Sequence, residues 1–222
     1  LGSHTSEIWT NTGAAAFPFQ KISGANLEIG IVAPQTAVAI QEALVWVGED
    51  QFGTGGVYKT TGIRPEKIST EPIETLIQNA PNKDKITAYA YQQQGHSFYV
   101  LTGGGLETTL VYDFTTRQWH ERAYLNTEGE YEQHLGSCGM FVFSKHIVGD
   151  RRNGNIYAMS MDVYTDAGEA IKRERTYRHI IDEDKRKRYN RLNIGFEVGV
   201  GLQTGQGSNP LCTLELSKDG AR

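Results

Sequence analysis

The chain has 222 residues, of which 38% are hydrophobic and 22% are charged, and it contains 25 glycines and 11 tyrosines. This is the composition of an ordinary globular protein that is long enough to bury a core, and its glycines and tyrosines favour strands and tight turns. The formal net charge of −4 gives no overall attraction for nucleic acid, and no apolar run is long enough to predict a membrane span or a signal peptide.

A repeated pair of residues organises most of the chain. An aliphatic residue followed by an aromatic one occurs at Ile8-Trp9, Val57-Tyr58, Val111-Tyr112 and Ile156-Tyr157, each time after a strand that ends in glycine. The aromatic residues are 49, 54 and 45 positions apart, which is close to the roughly 40–50 residues of a four-stranded propeller blade. We expect each pair on the third strand of a blade, with its two side chains facing opposite neighbouring blades. A β-sandwich with coincidental spacing is the alternative.

The most complete repeat runs from Ile86 to Tyr124. Its short runs of Tyr, Val, Phe and Thr are separated by glycines and polar residues, as in a meander of strands. The four predicted strands are Ile86–Tyr91, Ser97–Leu101, Thr109–Phe114 and Gln118–Tyr124. In the other three repeats, the run after the aliphatic–aromatic pair is predicted at Phe17–Ile22, Arg64–Ser69 and Ile171–Ile180.

One helix is predicted between two blades. The stretch from Ser69 to Ile77 has a capping residue, a proline at Pro72 in the first turn and apolar residues at helical spacing, and the segment from Asn79 to Asn82 ends it. We expect this helix to connect two blades and to pack on one rim of the propeller.

The composition changes after Ile180. A charged linker follows, and the alternating segments Arg191–Val198 and Cys212–Leu216 predict half-buried strands. The sequence therefore predicts an all-β protein with two parts: residues 1–181 form the C-terminal blades of a partial propeller with four-stranded blades, and residues 182–222 form a linker and the beginning of a C-terminal β-sheet or sandwich. We expect the chain to be a piece of a longer protein, because it starts inside a strand and lacks an initiator methionine.

No motif in the chain predicts catalysis, a metal or a cofactor. The glycine clusters at 53–56 and 103–105 lack the Lys-Ser/Thr of a phosphate-binding loop and are interpreted as turns, and Gly-x-Ser-x-Gly is absent. The six histidines and the cysteines Cys138 and Cys212 have no metal-ligand spacing, so the cysteines are predicted to be free thiols. Two carboxylate pairs, Asp113 with Glu121 and Glu49 with Asp50, could flank a glycosidic bond in a propeller, although carboxylates in turns are commoner.

The strongest charge feature is the segment from Lys172 to Arg191. It carries nine basic and four acidic residues. Such a segment could contact a phosphate backbone without reading its sequence, or bind a protein partner, while a solvated strand edge is the alternative. The residues predicted to make these contacts are Lys185, Arg186, Lys187, Arg188 and Arg191.

Several short segments resemble one protein family. They are Gly2–Trp9 with Phe17–Gln20, Val45–Gly48, Pro72–Ile77, Val111–Asp113 continuing to Trp119, and Val148–Tyr157 followed by Tyr164–Asp166. In these segments the chain is similar to the packaged-DNA stabilisation proteins of short-tailed phages.

The resemblance implies a β-propeller at the tail hub, which joins below the portal and the adaptor ring and closes the exit for packaged DNA. It also implies a homo-oligomeric, hexameric ring in the virion at the portal vertex, assembled in the host cytoplasm, with other portal, adaptor and tail proteins as partners, and it supplies no catalytic motif, cofactor or membrane contact. The alternatives are a glycan-binding or glycan-cleaving propeller of a phage tail and a kelch-type interaction protein, whose full set of glycines, tyrosine and tryptophan only one repeat contains.

Overall fold

Strands dominate the computed structural model, which describes residues 1–53, 55–177, 188, 190–195, 203–204, 208 and 211–216. Over these residues the chain forms sixteen strands and one α-helix. It divides into two units, residues 1–160 and 161–222. The predicted all-β class is confirmed.

The first unit contains four sheets, which are named blades 1 to 4 in chain order. All neighbouring strands within a blade are antiparallel, and their order follows the chain, as in a meander. Blade 1 consists of β1 (Ser6–Asn11) and β2 (Phe19–Leu27), and blade 2 of β3 (Val38–Ile40), β4 (Ala43–Glu49), β5 (Gly55–Thr60) and β6 (Glu66–Lys67). Blade 3 consists of β7 (Ile86–Gln93), β8 (His96–Gly103), β9 (Thr109–Asp113), β10 (Gln118–Leu125) and β11 (Tyr131–Gln133), and blade 4 of β12 (Gly136–Val142), β13 (Lys145–Asp150) and β14 (Ile156–Met159).

The four predicted strands of the central repeat are confirmed as β7 to β10. The sequence did not reveal β11, which extends the same sheet beyond β10. Gln133 at the end of β11 explains its position, because its side-chain oxygen accepts a hydrogen bond from the Gly103 amide at 3.2 Å and its side-chain nitrogen donates to the Leu106 carbonyl. These bonds tie the outer edge of blade 3 to the turn between β8 and β9.

The glycines at 103–105 form the predicted turn. All three have positive φ values, of 80°, 62° and 77°, a backbone conformation that glycine adopts without a steric penalty. Gly104 also leaves no room for a side chain, since a Cβ there would lie 2.4 Å from Ile86 Cγ1. The prediction of a turn at residues 53–56 is wrong for Gly55 and Gly56, which lie in β5 opposite Glu49 and Gly48.

Neighbouring blades pack by one rule. On the third strand of each blade, the aromatic residue faces the preceding blade and the aliphatic residue before it faces the following blade, as the sequence predicted. Successive residues of a strand point to opposite faces, so each pair serves two contacts. The apolar clusters at the three contacts join Ile8 and Leu27 to Trp46 and Tyr58, Val47 and Val57 to Tyr99 and Tyr112, and Val100 and Val111 to Val148 and Tyr157.

The predicted helix is confirmed as α1 (Glu71–Asn79), which connects blades 2 and 3. Thr70 is its N-cap residue but makes no capping hydrogen bond through its side chain, and Pro72 lies in the first turn. Ile73 and Ile77 are buried in the cluster between the two blades. The helix therefore contributes to the core of this contact with one side and exposes the other.

The second unit contains one short hairpin among its described residues, formed by β15 (Thr165–Asp166) and β16 (Glu169–Ala170). The predicted strand Ile171–Ile180 is wrong over residues 171–177, which form no strand, and residues 178–180 lie outside the described part. The alternating charges of Lys172, Arg173, Glu174 and Arg175, all exposed, give this segment no apolar face to pack.

The tail is described only in pieces. Residues 190–195 and 211–216 are exposed and form no strand, so the predicted strands Arg191–Val198 and Cys212–Leu216 do not form over those residues, and the remainder of the first one lies outside the described part. Alternation supplies one apolar face, but a strand also needs a neighbour to pair with. The proposed domain boundary after residue 181 falls outside the described residues, so the two-domain division and the C-terminal β unit stay predictions.

Candidate interaction surfaces

The structure describes two of the five predicted contact residues. Arg188 and Arg191 are exposed, whereas Lys185, Arg186 and Lys187 lie outside the described residues. The contact role of all five stays a prediction.

The beginning of the same basic segment is described and is open to solvent. Lys172 Nζ lies 3.8 Å from Glu174 Oε2, and the guanidinium carbon of Arg175 lies 5.3 Å from the centre of the Tyr177 ring. Exposed pairs of this kind contribute little to stability. These charges therefore remain available to a partner.

The carboxylate of Asp113 stabilises a turn and does not pair with Glu121. Its oxygens accept hydrogen bonds from the Thr115 amide at 2.9 Å and the Thr116 hydroxyl at 2.9 Å, and one lies 2.8 Å from His96 Nδ1. Burial raises the pKa of Asp113, but these hydrogen bonds outweigh it and hold the pKa below its usual value. Glu121 pairs with Leu110, three positions from Asp113 along β9. The two carboxylates are therefore about 10 Å apart along the strand and on opposite faces.

Aspartates in other turns have the same structural role. Asp50 accepts the Phe52 amide at 2.9 Å. Asp150 accepts the Arg152 amide at 2.8 Å and the Tyr157 hydroxyl at 3.2 Å. Burial opposes ionisation of Asp150, yet the hydrogen bonds from Arg152 and Tyr157 lower its pKa. Both aspartates lie where a second strand turns into a third, so the structure gives them a role in local folding.

A polar cavity of about 330 Å³ lies beside the turns that follow β3 and β7. Its lining residues are Gln41, Gln92, Gln93, Gln94, Gly95, His96 and Ser97. Gln41 Nε2 donates to Ser97 Oγ at 2.9 Å and so links blades 2 and 3 across the cavity. No carboxylate is among these lining residues, so the cavity lacks the acid and base that glycoside cleavage requires.

A cationic side chain lies between blades 3 and 4. The Arg122 guanidinium carbon is 5.4 Å from the centre of the Tyr91 ring and 5.3 Å from that of Phe98. Both distances are within the range of a cation–π contact. Burial, together with the charge of Arg122, lowers the pKa of His120. The arrangement stabilises the contact between the blades and leaves His120 neutral near pH 7.

Two apolar faces at the ends of the first unit were missed at the level of sequence. Blade 1 exposes Trp9, Phe17 and Phe19 to 48%, 62% and 51%, and blade 4 exposes Met140 and Ile156 to 63% and 72%. Trp9 and Ile156 are the outermost members of the repeated pairs, so the repeat itself contained the signal. Each is exposed because no blade among the described residues covers its face.

Within the described residues, no cluster of three or more His, Cys, Asp or Glu side chains could hold a metal ion. The described part of the chain also lacks any helix with the length and apolar character needed to cross a membrane. Cys138 and Cys212 are free and exposed.

Comparison with known proteins relates the first unit to one family. A family model described as "Bacteriophage P22 Gp10, beta-propeller" matches residues 1–164. This range includes all four blades. A search of curated proteins finds no match.

Proposed function

The chain belongs to the phage-stabilisation family described by bacteriophage P22 Gp10, and we propose that it connects the adaptor ring of a phage portal to the tail. Membership identifies it as a structural phage protein of the kind that stabilises packaged DNA. The observation that carries the proposal is the match over residues 1–164, which includes every blade of the partial propeller. We further propose a homo-oligomeric ring, with portal, adaptor and tail proteins as partners, in a virion assembled in the host cytoplasm.

The role we propose is mechanical and not catalytic. The candidate carboxylates support this, because Asp113 holds a turn and Glu121 lies on the opposite face of the sheet. A propeller is well suited to such work because its two rims and its outer wall can contact different partners. Since a fold alone does not determine function, the proposal depends on the family membership and on a particle experiment.

That experiment compares phage particles made with and without this protein. We expect particles without it to package DNA and then release it, and to lack tails, because the connection that closes the exit is missing. The DNA content of purified particles and their appearance in electron micrographs are the measurements. Particles that keep both DNA and tails without the protein would refute the proposed role.

The predicted contact residues add a second, narrower test. Reversal of charge at Lys185, Arg186, Lys187 and Arg188 is expected to weaken DNA retention or particle assembly, because repulsion would replace attraction to a phosphate backbone or an acidic partner. The matched control reverses four exposed basic residues of the first unit: Arg64, Lys85, Arg117 and Lys145. Unchanged retention and assembly in the first variant would remove the contact role while leaving the structural role intact.

A further inference from the structure

The two exposed end faces of the first unit are the two halves of a blade-to-blade contact. Inside the unit, Tyr58 and Tyr112 are only 6% and 5% exposed, and Val57 and Val111 are 0% exposed, because each faces a neighbouring blade. Trp9 and Ile156 occupy the equivalent positions at the ends and are 48% and 72% exposed. One end therefore carries an uncovered aromatic face and the other an uncovered aliphatic face.

The aromatic end face is a small cluster of rings. Trp9 and Phe17 meet edge to face with 6.2 Å between ring centres, and Phe17 meets Phe19 in the same way at 6.1 Å. The Trp9 indole nitrogen donates to Glu7 at 3.2 Å. The rings are therefore held in one arrangement while their apolar surface stays open to solvent.

The aliphatic end face of blade 4 has room for a large ring. Directly paired residues share a face, so Ile156 lies beside Gly149, and Gly149 in turn lies beside Cys138. The positions equivalent to Gly149 in blades 2 and 3 are Val47 and Val100. A valine in those blades packs against a tyrosine of the next blade, whereas a glycine leaves a hollow that suits a larger aromatic residue such as Trp9.

We propose that blade 1 of one copy of this chain packs on blade 4 of a second copy, with Trp9 of one copy over the Ile156 and Gly149 face of the other. The contact repeats between molecules the rule that joins blades within the molecule, so the existing interface continues from one copy to the next. Contiguous apolar patches on a protein surface mark sites of association. Because the two halves differ, the association is heterologous and runs head to tail, closing a ring or growing as a filament.

The inference rests on the faces of the sheets and not on the proposed phage role. Failure of this contact would leave DNA retention to be judged by particle experiments. Loss of the phage role would equally leave the contact between copies to be judged in solution.

The test uses the full chain and sedimentation velocity over a range of concentrations. We expect the wild-type chain to associate as its concentration rises, and Trp9→Glu and Ile156→Glu to weaken this association at least tenfold. Each variant keeps one intact half of the contact. An equal mixture of the two variants should therefore form a one-to-one complex, which neither variant forms alone.

The control is Phe52→Glu, at an 82% exposed phenylalanine in the turn between β4 and β5, away from both end faces. It should associate like the wild type. A wild-type chain that stays monomeric would overturn the proposal and assign the two faces to a different blade. The same conclusion would follow if the mixed variants failed to form a complex, or if Phe52→Glu weakened association as much as they did. Trp9→Thr and Ile156→Thr serve as milder variants should the charged ones fail to fold.

Discussion

Two buried tyrosines on neighbouring strands of blade 3 offer a sharp test of how blades are held together. Tyr99 on β8 is fully buried, and its hydroxyl donates to the Thr36 carbonyl of the turn before β3 at 2.7 Å. Tyr89 on β7 is 4% exposed, and its hydroxyl has no hydrogen-bond partner among the described residues. Burial raises the pKa of both tyrosines, so both are neutral at every pH at which the protein would be studied.

The same substitution at the two positions should have different effects. Tyr99→Phe removes the donor and leaves a buried carbonyl without its partner, which costs about 1–3 kcal/mol in the free energy of unfolding. Tyr89→Phe removes a hydroxyl that is already unpaired, so stability should stay the same or rise, because burying an unpaired hydroxyl is itself unfavourable. Both changes delete one oxygen atom from a buried ring, so packing losses are matched.

Urea unfolding followed by tryptophan fluorescence measures the difference, and thermal unfolding should agree, with about 2–4 °C for each kcal/mol in a domain of this size. The reasoning would be refuted if Tyr89→Phe lost as much stability as Tyr99→Phe. That result would mean that the Tyr89 hydroxyl is paired in solution.

Two further predictions concern other parts of the first unit. Gly139→Ala should lower the free energy of unfolding by about 1–3 kcal/mol, because a Cβ there would lie 2.6 Å from the ring of Tyr89; Gly154→Ala, which has no atom within 4 Å of the added Cβ, is the control, and equal effects in urea unfolding would contradict the argument. The lowered pKa values of Asp113 and Asp150 predict that their stabilisation is present above the ordinary aspartate pKa, near 3.8, and is lost as the pH falls below it. Each Asp→Asn variant should therefore lose less stability between pH 5 and 3 than the wild type in unfolding experiments, about these pH limits being set by the aspartate pKa, and identical acid sensitivity would argue against this role.

The sequence was most informative where two independent patterns coincided. In blade 3, the short strands and the recurring Val111-Tyr112 pair both predicted a four-stranded meander, and the structure confirms it. The helix was also predictable, because Pro72 and the spacing of Ile73 and Ile77 are local signals that need no knowledge of distant residues. Side-chain capping by Thr70 is the part of that prediction that does not form.

Long-range contacts determined what the sequence could not reveal. β11 is three residues long and depends on bonds from Gln133 to a turn about thirty positions away, which no local pattern indicates. The segment Ile171–Ile180 followed the fourth aliphatic–aromatic pair at the expected distance, yet its charges leave no apolar face for a strand. The contact residues proposed at 185–188 were found by charge alone, and charge gives no information on where a side chain lies.

The helix α1 has a consequence for symmetry. A disc built from like blades looks the same to a docking neighbour after each rotation by one blade, so several angular settings would be equivalent. Among the described blade contacts, only the one between blades 2 and 3 contains a helix, and that helix exposes Glu71, Thr75 and Gln78. The four blades are therefore not interchangeable, and a neighbour that touches α1 meets this chain in one angular setting and no other.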